Sequence, residues 1–83
     1  MATVKIFWQD TCPNCPPAKV LGKKLEGEGV RVEYHNVREP DGLSEAAYYD
    51  VMATPSVVIA DGSKEIAAWR NGAPAYEEVK KFL

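Results

Sequence analysis

Apolar and polar positions divide the chain into short segments of alternating period. Residues 3–8 are dense in β-branched and aromatic side chains and predict an interior strand. In the next segment Ala18, Leu21 and Leu25 recur on one face while Lys19, Lys23 and Lys24 stay polar. That spacing predicts an amphipathic helix, stopped by Gly27 and Gly29. Residues 30–37 alternate, with Val30, Val32 and Tyr34 on one face and Arg31, Glu33 and His35 on the other. A period of two predicts a half-exposed strand near a sheet edge, with His35 exposed. Residues 38–42, containing Pro40 and Asp41-Gly42, read as a loop, and residues 44–51 as a short helix capped by Asp41 or Ser44. Met52-Ala53-Thr54-Pro55 breaks that helix before a buried-type strand at residues 56–60. Asp61-Gly62 is a hairpin signal, so residues 64–69 should pair antiparallel with it. Asn71-Gly72 ends this strand, and Pro74 opens a last helix carrying Tyr76, Val79 and Phe82 inward.

The order is β-α-β-α-β-β-α. Its first βαβ unit implies parallel strands, and the hairpin adds an antiparallel one. The expected fold class is α/β, a four-stranded mixed sheet with three helices covering both faces. With 83 residues the chain is read as a single domain over 1–83. A chain of this size buries only a little over ~60% of its unfolded surface, so its core is thin.

Charge removes some function classes. The formal net charge is −2, with both signs interspersed, which speaks against nucleic acid or an anionic membrane as partner. No apolar run approaches membrane-spanning length, and the N-terminus lacks the basic and apolar regions of a signal peptide. A cytoplasmic location is expected. There a lone C-x-x-C is more often redox-active than structural, and a disulfide closing so small a loop adds little stability.

Cys12-Pro13-Asn14-Cys15 falls between the first strand and the first helix. A helix N-terminus presents unpaired N–H groups and partial positive charge, which favour a thiolate over a thiol. The spacing lets the second sulfur reach the first, so a mixed disulfide can be resolved internally. Cys12, nearer the exposed edge, is expected to attack and Cys15 to resolve. Pro16 and Pro17 place the first regular turn near residues 15–18 and remove two backbone donors close to the sulfurs. Trp8, beside the loop, is expected to screen the sulfurs in part. Lys19, one turn after Cys15, either favours the thiolate or is simply solvated. Asp10 is expected to be water-exposed and screened, and is given no catalytic role. No metal site is expected, because a closed zinc site needs four ligands and the chain offers two cysteines and one histidine.

The element order, with C-x-x-C after the first strand and Thr54-Pro55 before the third, resembles the thioredoxin/glutaredoxin superfamily over essentially the whole chain. Phe7-Trp8, Ala53-Thr54-Pro55-Ser56, Gly72-Ala73 and residues 77–83 resemble thioredoxins. The length and the C-P-x-C form resemble glutaredoxins and the small redoxins that serve ribonucleotide reductase. A proline directly after the second cysteine resembles the glutaredoxin-like redoxins of some archaea and anaerobic bacteria. This resemblance implies a thiol–disulfide oxidoreductase acting on protein disulfides through Cys12 and Cys15. It also implies a cis Pro55 facing the disulfide, substrate contacts at Trp8, Thr54, Pro55 and Gly72, and a potential tuned by Pro13 and Asn14. No cofactor beyond the redox disulfide is expected, and a monomer is the default.

Two departures bear on the electron donor. Thioredoxins carry a buried acid six residues before the first cysteine, where this chain has Ile6. Glutaredoxins usually have Lys three residues before that cysteine, Tyr between the cysteines and a late Gly-Gly-x-Asp clamp. Here those places hold Gln9, Asn14 and Asn71-Gly72-Ala73-Pro74. Missing clamp residues favour a thioredoxin-reductase-type flavoenzyme over glutathione as donor. A glutathione-dependent glutaredoxin stands as the alternative. An iron–sulfur module, with Cys12 bridging a cluster between two chains, is the alternative of another class.

Overall fold

The computed structural model describes residues 2–83. Its elements are β1 (Ala2–Trp8), α1 (Cys15–Gly27), β2 (Arg31–Asn36), α2 (Pro40–Tyr48), β3 (Ser56–Asp61), β4 (Lys64–Trp69) and α3 (Tyr76–Lys80). They form a four-stranded sheet in the order β2-β1-β3-β4. β1 runs parallel to β2 and antiparallel to β3, and β4 pairs antiparallel with β3. The expected α/β architecture is thus observed, and β2 is an edge strand.

Strand periodicity sorts the core into two layers. Val4, Ile6, Val57 and Ile59 face Ala18, Leu21 and Leu25 of α1 and Val79 of α3. Phe7, Val58 and Ala60 face the other way, toward Ala46 of α2 and toward Tyr49 and Val51 just after it. Both central strands are therefore covered on both sides, which is why β3 reads as a continuous apolar run and not as an alternation.

The second helix departs from the expectation. α2 begins at Pro40, within the stretch read as a loop, and ends at Tyr48. Its N-cap is Glu39, with no side-chain cap hydrogen bond, so neither Asp41 nor Ser44 caps it. Pro40 suits the first turn because its missing N–H would have been unpaired there. Gly42 is not a turn residue but a point of close approach. A Cβ added to it would lie 1.9 Å from the Asn36 carbonyl oxygen at the end of β2.

The last helix is likewise shorter than expected, opening at Tyr76 after Ala75 and not at Pro74. Val79 points into the core as expected, but Phe82 lies beyond the helix, 45% exposed, with its ring edge-on to Trp69. His35 also differs. It stacks on Phe7, ring centroids 5.3 Å apart, and its Nε2 lies 3.0 Å from Glu33 Oε1.

His35 belongs to a polar cluster that ties α2 to the sheet. Lys5 Nζ donates to Glu33 Oε1 at 3.2 Å and to Glu45 Oε1 at 2.8 Å. Burial alone would lower the Lys5 pKa, but the bonds to Glu45 and Glu33 outweigh it and hold it above 10.5. Burial alone would raise Glu33, but the hydrogen bonds from Lys5 and His35 outweigh it and hold its carboxyl below 4.5. Glu33, His35 and Glu45 could together ligate a cation, but the Lys5 ammonium is already bonded to both carboxylates.

Two stability outcomes follow from these contacts. Gly42→Ala is expected to cost about 3 kcal/mol or more in urea unfolding, since the backbone it strikes cannot rotate away. The Glu33 contribution is present above about pH 4.5 and is lost as pH falls through its depressed folded value, whereas that of Lys5 is lost only as pH rises through its raised one. Lys5→Met should therefore cost about 1–3 kcal/mol at pH 7 and less once the pH has fallen below the depressed Glu33 value, where that carboxylate is protonated. An equal loss on both sides of that value would remove the ion-pair account.

Candidate active site

β1 ends at Trp8, and the loop that follows carries Cys12 to the head of α1. Cys12 and Cys15 are disulfide-bonded, with Cα atoms 5.3 Å apart. Cys15 is the first helical residue, and its N–H donates to the Cys12 carbonyl at 3.3 Å. The Cys15 side chain is buried, at 2% exposure, whereas Cys12 is half-buried and Pro13 and Asn14 are exposed. Asn14 holds the N-cap position but makes no side-chain cap bond. The two prolines that follow are accommodated in the first turn, as their position predicted.

Thr54, Pro55 and Gly72 form one connected unit beside this loop. The Thr54-Pro55 peptide bond is cis. Gly72, at φ +108, donates its N–H to the Pro55 carbonyl at 3.1 Å. A side chain rarely adopts that backbone conformation, which accounts for glycine there. Gln9 joins the unit to the cysteine loop, its Nε2 donating to Thr54 Oγ1 at 3.0 Å. Sequence reasoning noted Gln9 only as a departure from glutaredoxins and missed this bridge, because nothing local marks a partner 45 residues away.

Trp8, Asp10, Cys12, Cys15 and Lys19 line a cavity of about 140 Å³ over the sulfurs. Trp8 thus stands where it was expected, half-buried against the disulfide loop. Asp10 is exposed, as expected. Lys19 is not simply solvated, because its Nζ lies 3.7 Å from the centroid of the Trp8 ring. Ile6, at the place where thioredoxins carry an acid, is fully buried and pairs in register with Tyr34. His35 is absent from this cavity, so it adds no third ligand to the cysteines.

A buried and a half-buried sulfur at a strand–helix junction, joined through Gln9 to a cis-proline loop, define a thiol–disulfide oxidoreductase of the thioredoxin-like class. The chain belongs to the thioredoxin domain family, whose model matches residues 2–83. A probable thioredoxin of Archaeoglobus fulgidus is 39% identical over 62 residues, spanning 74% of this chain and 68% of that protein. Two solved structures share the fold at lower identity. One, described as a malarial protein, superposes with a TM-score of 0.79 at 17% identity, covering 100% of this chain and 98% of its own. The other, a point mutant of thioredoxin from Halobacterium salinarum NRC-1, gives 0.80 at 20% identity over 96% of this chain and 69% of its own. Among the described residues no helix is long and apolar enough to cross a membrane.

The unequal burial of the two sulfurs has a direct readout. In the reduced protein, limiting iodoacetamide should modify Cys12 at least about tenfold faster than Cys15, as read by peptide mass spectrometry. Equal labelling would mean that the helix head opens on reduction.

Proposed function

We propose that this protein is a dithiol reductant of protein disulfides in the cytoplasm, recharged by a thioredoxin-reductase-type flavoenzyme. The observation that carries the reading is the half-buried Cys12 set over the buried Cys15 at the head of α1. Cys12 thiolate attacks one sulfur of a substrate disulfide, expelling the other as a thiolate and forming a mixed disulfide. Cys15 thiolate then attacks Cys12 Sγ, forming the Cys12–Cys15 bond and breaking the bond to substrate. Two electrons pass from the dithiol to the substrate, and the two released thiolates take protons from water.

Trp8, Thr54, Pro55 and Gly72 hold the substrate segment during this exchange. The Pro55 carbonyl is engaged by Gly72, so main-chain pairing with substrate falls to Thr54. Pro13 and Asn14 set the spacing of the sulfurs and tune their potential. The couple works as a monomer and needs no cofactor beyond its own disulfide. Support for a flavoenzyme donor over glutathione comes from the segment 71–74, which offers no acid to a glutathione amine.

Substituting each cysteine tests the roles. Cys12→Ser should abolish turnover of a protein disulfide, and Cys15→Ser should accumulate mixed disulfides through Cys12. Trapping by the Cys12→Ser protein instead would reverse the assignment. In parallel, turnover should be sustained by NADPH with a thioredoxin reductase and run at least about tenfold slower with glutathione and glutathione reductase at equal flux. The opposite preference would make the chain a glutaredoxin.

A further inference from the structure

Resolution of the mixed disulfide requires negative charge on Cys15, a sulfur almost wholly removed from water. Burial of that kind disfavours a thiolate. The surrounding main chain offers little to offset it. Pro13, Pro16 and Pro17 have no N–H, and the Cys15 N–H is already given to the Cys12 carbonyl. Ile6 supplies no proton relay. Its neighbour Tyr34 is held neutral, its pKa pushed up to about 12 by burial and by its hydrogen bond to Glu26.

Lys19 is the cation placed to fill this gap. It lies four residues after Cys15 in α1, hence on the same helix face, and lines the same cavity as both sulfurs. Its ammonium rests on the Trp8 ring, an attraction that holds a flexible side chain over the site instead of in bulk water. The other charges nearby do not serve. Asp10, which also lines the cavity, has the wrong sign and is exposed. Lys23, one turn on, is drawn toward Glu26 at 3.8 Å and the Tyr34 ring.

We propose that Lys19, seated on Trp8, stabilises the Cys15 thiolate and so sets the rate of the resolving step. The proposal rests on the dithiol reading above. The Cys15 proton leaves to water, the thiolate electron pair forms the bond to Cys12 Sγ, and the substrate sulfur departs with the electrons of the broken bond.

Dithiodipyridine, an uncharged aromatic disulfide, separates the two steps by rapid mixing with the reduced protein. The first equivalent of coloured thiopyridone reports attack by Cys12, the second resolution by Cys15. Lys19→Gln should slow the second phase roughly tenfold at pH 7 and move the midpoint of its pH profile upward by about one unit, the effect of one charge across a cavity this narrow. Its first phase should change less than about threefold, and Lys19→Arg should keep both phases within about threefold of the native protein, because the charge is retained. Release of two equivalents by Lys19→Gln with an unmoved second phase would overturn the role of Lys19 and leave the dithiol chemistry intact. A slower second phase with an unmoved pH midpoint would also overturn it, since lost packing slows a step without changing a thiol's titration. Failure of the native protein to release a second equivalent would instead remove the dithiol reading itself.

Discussion

The structure depends on the pairing of β1 from both sides. One edge of this strand is bound in parallel to β2 and the other antiparallel to β3, residue for residue from Thr3 to Phe7. A slip of one residue would turn Val4 and Ile6 away from α1 and bring Lys5 into the apolar layer. It would also carry Trp8 off the α1 side of the sheet, where it meets Lys19. The strand that organises the core thus also sets where the sulfurs emerge. Lys5 reinforces the register, because its ammonium finds Glu33 and Glu45 only on the α2 side.

Around the sulfurs, the chain combines a helix head with few free donors and a cation brought in by side-chain packing. A thiolate at a helix N-terminus ordinarily draws on unpaired N–H groups and the helix dipole. Here three prolines thin out those groups, while Trp8 and Lys19 occupy one wall of the cavity. Next to the cysteine loop, Gln9 donates to Thr54, and the Gly72 N–H donates to the carbonyl of the cis Pro55.

Features carried by local pattern were legible in the sequence. The central strands, the hairpin at Asp61-Gly62, the amphipathic face of α1 and the cysteine pair each follow from spacing or from one turn signal. The cis form of Pro55 came from the family resemblance, since an X-Pro dipeptide alone favours trans. What local pattern misread depends on distant partners. Pro40-Asp41-Gly42 has the composition of a loop, yet it is a helical first turn whose glycine clears the distant Asn36 carbonyl. His35 alternates onto the polar face of β2, yet that face is covered by α2 and Phe7. Phe82 keeps the helical spacing of Val79, but α3 has already ended and the ring is left half outside. The seat of Lys19 on Trp8 and the bridge from Gln9 to Thr54 are contacts of the same kind.

At the centre stands the proposed role of Cys12 and Cys15 as a two-electron couple that reduces protein disulfides. Its most direct test is the equilibrium potential of that couple, titrated against a dithiothreitol buffer and read by thiol alkylation. The account predicts a single two-electron transition between about −200 and −270 mV, the range of glutaredoxins and thioredoxin. A value near −120 to −180 mV would make the protein a disulfide oxidant or isomerase. Either that value or the absence of any two-electron transition would contradict the reductant account.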